Sequence, residues 1–175
     1  MSNMKKNKKI FDIVLIAMLT AILFVQEQVL MFLPNIQLTV FLIMFYSKKL
    51  GFLKTSIIVF IYVLLDNIFM ASLGLFYTPF MLLGWMLIPI LLCTVFKKVN
   101  SVFWLSSLGF IFALIYSWVM VIPNIFVNEI DVIVYLINDI PFEILLAVSS
   151  FLSVLWLYKP CEKCFDNLFN NNQNE

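Results

Sequence analysis

Histidine and arginine are both missing from this chain, and each absence removes a class of function. Without histidine there is no Ser–His or Cys–His nucleophile pair and no His-based metal site. All eleven basic residues are lysines, and they form no cluster that would hold a phosphate. The four glycines build neither a phosphate loop nor a P-loop, so the chain has no means of hydrolysing ATP itself. Three cysteines, Cys93, Cys161 and Cys164, are too few for a disulfide framework. Cys161-Glu162-Lys163-Cys164 has C-x-x-C spacing, but a zinc site needs two more ligands. It reads as two interfacial cysteines after a helix. No catalytic set emerges, and no metal, cofactor or nucleic-acid partner is expected.

What the chain does contain is apolar. Hydrophobic residues make up 63% and charged residues 12%, with a mean hydropathy of +1.04. Soluble chains run nearer half apolar and a quarter charged. A membrane protein follows. The lysines then orient it. Lys5, Lys6, Lys8 and Lys9 precede the first apolar run, Lys48, Lys49 and Lys54 mark the second turn-round, Lys97 and Lys98 the fourth, and Lys159 and Lys163 follow the last run. Loops rich in lysine stay cytoplasmic. An even number of spans with both termini inside puts every cluster on that side.

The expected fold is therefore all-α, with six transmembrane helices. Their approximate limits are Ile10–Leu33, Ile36–Tyr46, Phe52–Met70, Pro79–Phe96, Ser101–Ile122 and Val132–Tyr158. Residues 1–9 form a basic cytoplasmic N-terminus, 10–160 the membrane domain, and 161–175 a polar cytoplasmic tail expected to be disordered. The first run is longer than the apolar region of a secretory signal and lacks a small-residue cleavage site, so it reads as a span. The second is short. Its eleven residues reach only about 16 Å, against the roughly 30 Å of a hydrocarbon core. A re-entrant second segment would nevertheless place all later lysines outside, against the orientation rule.

Polar groups gather in the half without cations. Glu27 lies toward the outer end of span one, and Asp66 and Asn67 toward that of span three. They fit either a hydrated headgroup boundary or a wet cavity. Asn138, Asp139 and Glu143 lie deeper, in span six, and Tyr135, Asp139 and Glu143 share one helix face at four-residue spacing. Ionisable residues at membrane depth normally face a bundle interior or a cavity. With no cation in that half, each carboxylate is protonated, hydrated or paired with a ligand. Trp104, Trp118 and Trp156 fall where an aromatic belt would put them, whereas Trp85, between Gly84 and Pro89, falls inside span four.

These features resemble the substrate-binding S components of energy-coupling factor (ECF) vitamin transporters. The resemblance covers about residues 10–160. It rests on the six-span, lysine-inside layout, on Pro34-Asn35-Ile36-Gln37-Leu38-Thr39 at the first outer turn, and on Lys49-Leu50-Gly51 entering span three. Ala17-Met18-Leu19-Thr20-Ala21 matches the family's A-x-x-x-A motif, in which small residues one turn apart let a partner helix approach.

The resemblance implies a multi-pass protein of the bacterial cell membrane that docks through Ala17 and Ala21 on a transmembrane coupling subunit, itself bound to two ATPases. It also implies an outward-facing pocket built from spans four to six. Candidate lining residues are Asn35, Trp85, Tyr116, Asn138, Asp139 and Glu143, with aromatic faces for a flat ring and amides and carboxylates for its donors. The absence of arginine and lysine there favours a neutral or cationic heteroaromatic, thiamine or its pyrimidine precursor being examples. A structural multi-span protein of the cell-wall elongation machinery (MreD-like) is the alternative. It would need no convergent pocket. A membrane enzyme is disfavoured for lack of a catalytic constellation.

Overall fold

A computed structural model describes residues 2–33, 35–69, 76–128 and 131–171. Pro34, Met70, most of the loop expected over Ala71–Thr78, part of the acidic loop at Asn128–Asp131, and the last four residues lie outside them. The described residues form six helices and no strand. The helices are α1 (Ser2–Leu30), α2 (Thr39–Leu50), α3 (Phe52–Phe69), α4 (Tyr77–Cys93), α5 (Val102–Asn128) and α6 (Val132–Asn171). Four helical stretches are long and apolar enough to cross a membrane: Lys9–Leu30, Phe52–Phe69, Val102–Val127 and Val132–Leu168. Helix α4 is a shorter apolar helix, and α2 is shorter still.

Helix α2 is short and central. Its twelve residues extend about 18 Å, and eight of them, including Thr39, Phe41, Ile43, Met44 and Tyr46, are buried. It packs against every other helix. A helix apolar on all sides is stable when neighbours enclose it. The others follow one another around it in the order α1, α3, α4, α5, α6, with α5 and α6 paired most extensively and the arc open between α6 and α1. Outward from that core the apolar side chains stay exposed, among them Ile13, Val14 and Val25 on α1, Leu53 and Ile68 on α3, and Ile133 and Ile137 on α6. Trp104, Trp118 and Trp156 are also exposed, while Trp85 is 1% exposed.

The lysine clusters converge at one end of the bundle. Lys48 Nζ donates to the carbonyls of Phe96 at 2.9 Å, Lys97 at 3.2 Å and Val99 at 2.7 Å, closing the turn after α4. A lysine placed this way serves the carbonyls of the turn, where Phe96 also accepts from the Val99 N–H at 3.1 Å. Lys49 pairs with Glu162 and Asp166, Lys54 with Asp12, and Lys159 with Glu162. Gly51, at φ 79°, makes the one-residue turn from α2 into α3 that puts Lys48, Lys49 and Lys54 in this group.

Several boundaries differ from expectation, and α2 is shifted from Ile36–Tyr46 to Thr39–Leu50. Helix α5 runs through Pro123 to Asn128, six residues past Ile122. Proline is tolerated in apolar bundles because neighbouring groups serve the carbonyl it frees. The basic segment at the N-terminus is helical from Ser2. The tail expected to be disordered from residue 161 continues α6 as far as Asn171. Its polarity is one-sided: Phe165 packs edge-on against Phe45, at 5.7 Å between ring centres, and Asp166 meets Lys49 at 2.9 Å. Those contacts hold the extra turns, which carry Cys161 half-buried and Cys164 exposed.

Candidate ligand-binding site

At the opposite end, the turn after α1 closes over α5 and α6. Gln26 holds that turn. Its Oε1 accepts from the Leu38 backbone N–H at 2.9 Å, and its Nε2 donates to the Leu23 carbonyl and to Thr39 Oγ1. Thr39 Oγ1 donates in turn to Gln37 Oε1 at 3.1 Å. Asn35 occupies the left-handed region, with φ 55°, which asparagine tolerates better than most residues. Ser149 Oγ on α6 lies 3.4 Å from the Asn35 carbonyl, its single proton shared with the Leu146 carbonyl at 3.0 Å.

Between these elements is a cavity of about 430 Å³. Its polar lining comes from Glu27 on α1, Asn35 and Gln37 in the turn, Tyr116 and Ser117 on α5, and Tyr135 and Asp139 on α6. Leu30, Leu33, Ile36, Met120 and Leu146 contribute apolar surface. No lysine lines it. The α6 face is braced from above, since Tyr77 donates to Asn124 Oδ1 and Asn124 Nδ2 donates to the Tyr135 hydroxyl at 2.9 Å. Three helices are joined there through one amide.

The candidate residues occupy different positions. Asn35, Tyr116 and Asp139 line the cavity. Glu143 is half-buried one turn further along α6, where its Oε1 accepts from Ser117 Oγ at 3.2 Å, so it touches the lining without belonging to it. Trp85 lies behind the wall. Its ring stacks on that of Tyr116, 3.7 Å between centres and 18° between planes. Gly84 makes this possible, because a Cβ there would sit 2.7 Å from Tyr116 Cδ2. Asn138 is exposed and outside the lining, as its position on α6 is rotated away from Asp139. Ala17 and Ala21 are both exposed on α1, in line with Val14, Met18 and Val25.

Glu27, Gln37, Ser117 and Tyr135 complete the wall without having been among the candidates. Glu27 carries a signal in the sequence, as a carboxylate at membrane depth, yet only folding shows on which side of α1 it lies. Its Oε2 accepts from the Tyr62 hydroxyl of α3. Among the described residues no group of three or more His, Cys, Asp and Glu gathers as a metal-ligand set. Chemically, the cavity offers two carboxylates, two amides, three hydroxyls and an aromatic wall to one small organic molecule. Comparison of the chain with family models, with curated proteins and with solved structures finds no match.

Proposed function

We propose that this protein is the substrate-binding membrane subunit of an ECF-type transporter, with six spans, both termini cytoplasmic, resident in a bacterial cell membrane. It takes up a vitamin-like small molecule that is neutral or cationic. The carrying observation is the cavity of about 430 Å³ at the end remote from the lysines, lined by Glu27, Asp139, Tyr116 and Tyr135 and by no basic residue. That size is typical of sites that enclose a small organic molecule. Its chemistry suits a flat ring bearing positive charge or several N–H donors, and gives poor anchorage to a carboxylate or phosphate.

The docking role of Ala17 and Ala21 agrees with their exposure on α1, since a surface kept for a partner helix is not used within the fold. The partner would be the coupling subunit that carries the two ATPases. The MreD-like alternative makes no use of a cavity into which carboxylates and aromatic rings converge.

The experiment is to purify the protein from its host in mild detergent, release bound small molecules and identify them by mass spectrometry. A stoichiometric cationic or neutral heteroaromatic supports the reading. An anionic ligand, or a preparation that binds no vitamin-like compound in a screen, overturns it.

A further inference from the structure

Helices α5 and α6 come together at Gly109, where a Cβ would sit 3.2 Å from Val154 Cγ2 and 3.5 Å from the Ser150 carbonyl oxygen. On their outer surface the same two helices leave a groove of about 440 Å³. It is lined by Ser107, Phe110 and Ile111 of α5 and by Val148, Phe151 and Leu152 of α6, and shares no residue with the organic-ligand cavity. Ser107 Oγ, the one polar group among these side chains, donates to the Phe103 carbonyl of its own helix at 3.1 Å. An apolar groove whose hydroxyl is already committed gives water no partners. In a membrane it fills with hydrocarbon.

The depth of the groove and the residues at its mouth say which hydrocarbon. At about 1.5 Å per residue, Ser107 and Ile111 lie about 8 and 14 Å along α5 from Val102. Leu152 and Val148 lie about 11 and 17 Å along α6 from Lys159. One leaflet contributes about 15 Å of hydrocarbon, so the groove spans the acyl region of the leaflet at the lysine end. Toward that end both helix faces change character. Trp104 precedes Ser107 by three residues and Trp156 follows Leu152 by four, and both are exposed. Lys159 follows Leu152 by seven residues and Lys163 follows Lys159 by four, so the α6 face ends in two exposed amines. Lys159 shares Glu162 with Lys49, which divides one carboxylate between two cations. Among the described residues Lys163 is in no ion pair.

We propose that this face binds one anionic phospholipid, with an acyl chain in the groove and the phosphate against Lys159 and Lys163. Indole rings settle at headgroup level, and lysines beyond them meet the negative charge of the lipid. In the orientation proposed above this is the cytoplasmic leaflet, where anionic lipids attract basic segments. A second copy meeting the groove about a two-fold axis along the membrane normal would instead bring like-charged lysines together. The inference needs the chain to be in a membrane and does not depend on its being a transporter.

The test uses the full chain purified in mild detergent, stripped of lipid and titrated with phosphatidylglycerol or phosphatidylcholine. Native mass spectrometry counts the lipid retained. We expect one phosphatidylglycerol per chain at concentrations where phosphatidylcholine is not held. Lys159→Gln and Lys163→Gln should each weaken its retention about five-fold. Ile111→Phe combined with Val148→Phe fills the groove with the protein's own carbon and should abolish retention. Size-exclusion profiles show that the variants fold. Phosphatidylglycerol brominated in its acyl chains should quench fluorescence in the parent protein, and much less in Trp104→Phe combined with Trp156→Phe. Equal retention of the two lipids overturns the proposal, as does phosphatidylglycerol binding that survives loss of both lysines. Binding that needs the lysines but ignores the filled groove would be a headgroup contact alone, and the groove assignment fails. A lipid-free dimer that the filled groove abolishes would give the face to a second copy.

Discussion

Asp139 and Glu143 recur on one face of α6, and the fold gives them different surroundings. Asp139 faces the cavity, while Glu143 is held at its edge by the Ser117 hydroxyl. If a cationic ligand pairs with this face, both Asp139→Asn and Glu143→Gln should weaken its binding, with the larger effect at Asp139. A charge-assisted hydrogen bond in a dry site contributes about 1.5–3 kcal/mol, so a roughly 10- to 150-fold loss is expected. Val148→Leu, on an exposed part of α6, should bind as the parent does. Affinity for a cation should also fall toward acid pH, because a protonated carboxylate no longer attracts it. Equilibrium binding of the co-purified compound across these variants and pH values checks both statements. The same carboxylates were visible in the sequence as charges at membrane depth. Tyr116 was visible only as one aromatic residue among many, since nothing local shows that Gly84 makes room for its ring over Trp85.

Among the helices, α2 illustrates how a neighbour can replace length. By itself it is too short to cross a bilayer, yet it is enclosed by five partners and its end carries Lys48 into the turn after α4. Lys48→Met retains most of the aliphatic stem and removes the three donated hydrogen bonds. It should destabilise the protein by about 1.5–3 kcal/mol, read as a lower Tm in detergent. Lys98→Met, at an exposed position, should leave Tm nearly unchanged. Helix α1 carries the prediction about assembly. If the protein is the S component proposed above, Ala17→Trp combined with Ala21→Trp should weaken co-purification with a coupling subunit and abolish uptake while leaving ligand binding intact. Normal assembly by the double variant would remove the docking role. The CxxC segment and the turns beyond it were expected to be polar and loose. Phe165 and Asp166 make them helical instead, by contacts to Phe45 and Lys49 more than a hundred residues away in sequence.

For the molecule as a whole, the arrangement of charge predicts its orientation. Lys48, Lys49, Lys54 and Lys159 engage partners at one end, and Glu27 and Asp139 line the cavity at the other. In a cysteine-free background, single cysteines introduced as Lys48→Cys and Lys98→Cys should resist a membrane-impermeant thiol reagent applied to intact cells. Asp131→Cys, exposed at the start of α6, should react. Labelling of position 48 from outside would mean that α2 does not cross.

The sequence by itself determined the all-helical class, the positions of the long apolar helices and the separation of lysine from the opposite half. These follow from composition and from charge spaced along a single strand of chain, which need no tertiary information. It also marked Asp139 as a carboxylate at membrane depth, while Asn35 and Tyr116 entered as candidates through the family resemblance. Only the tertiary structure decided that α2 is the central helix, that Asn138 turns away while Glu27 turns in, and that Trp85 stands behind Tyr116. Those outcomes depend on which helix faces pack together, and an apolar residue carries almost no local mark of whether it will meet lipid or protein. The pairing of Glu27 with Tyr62 was hidden for the same reason: thirty-five residues separate them, and only the packing of α1 on α3 brings them within a hydrogen bond.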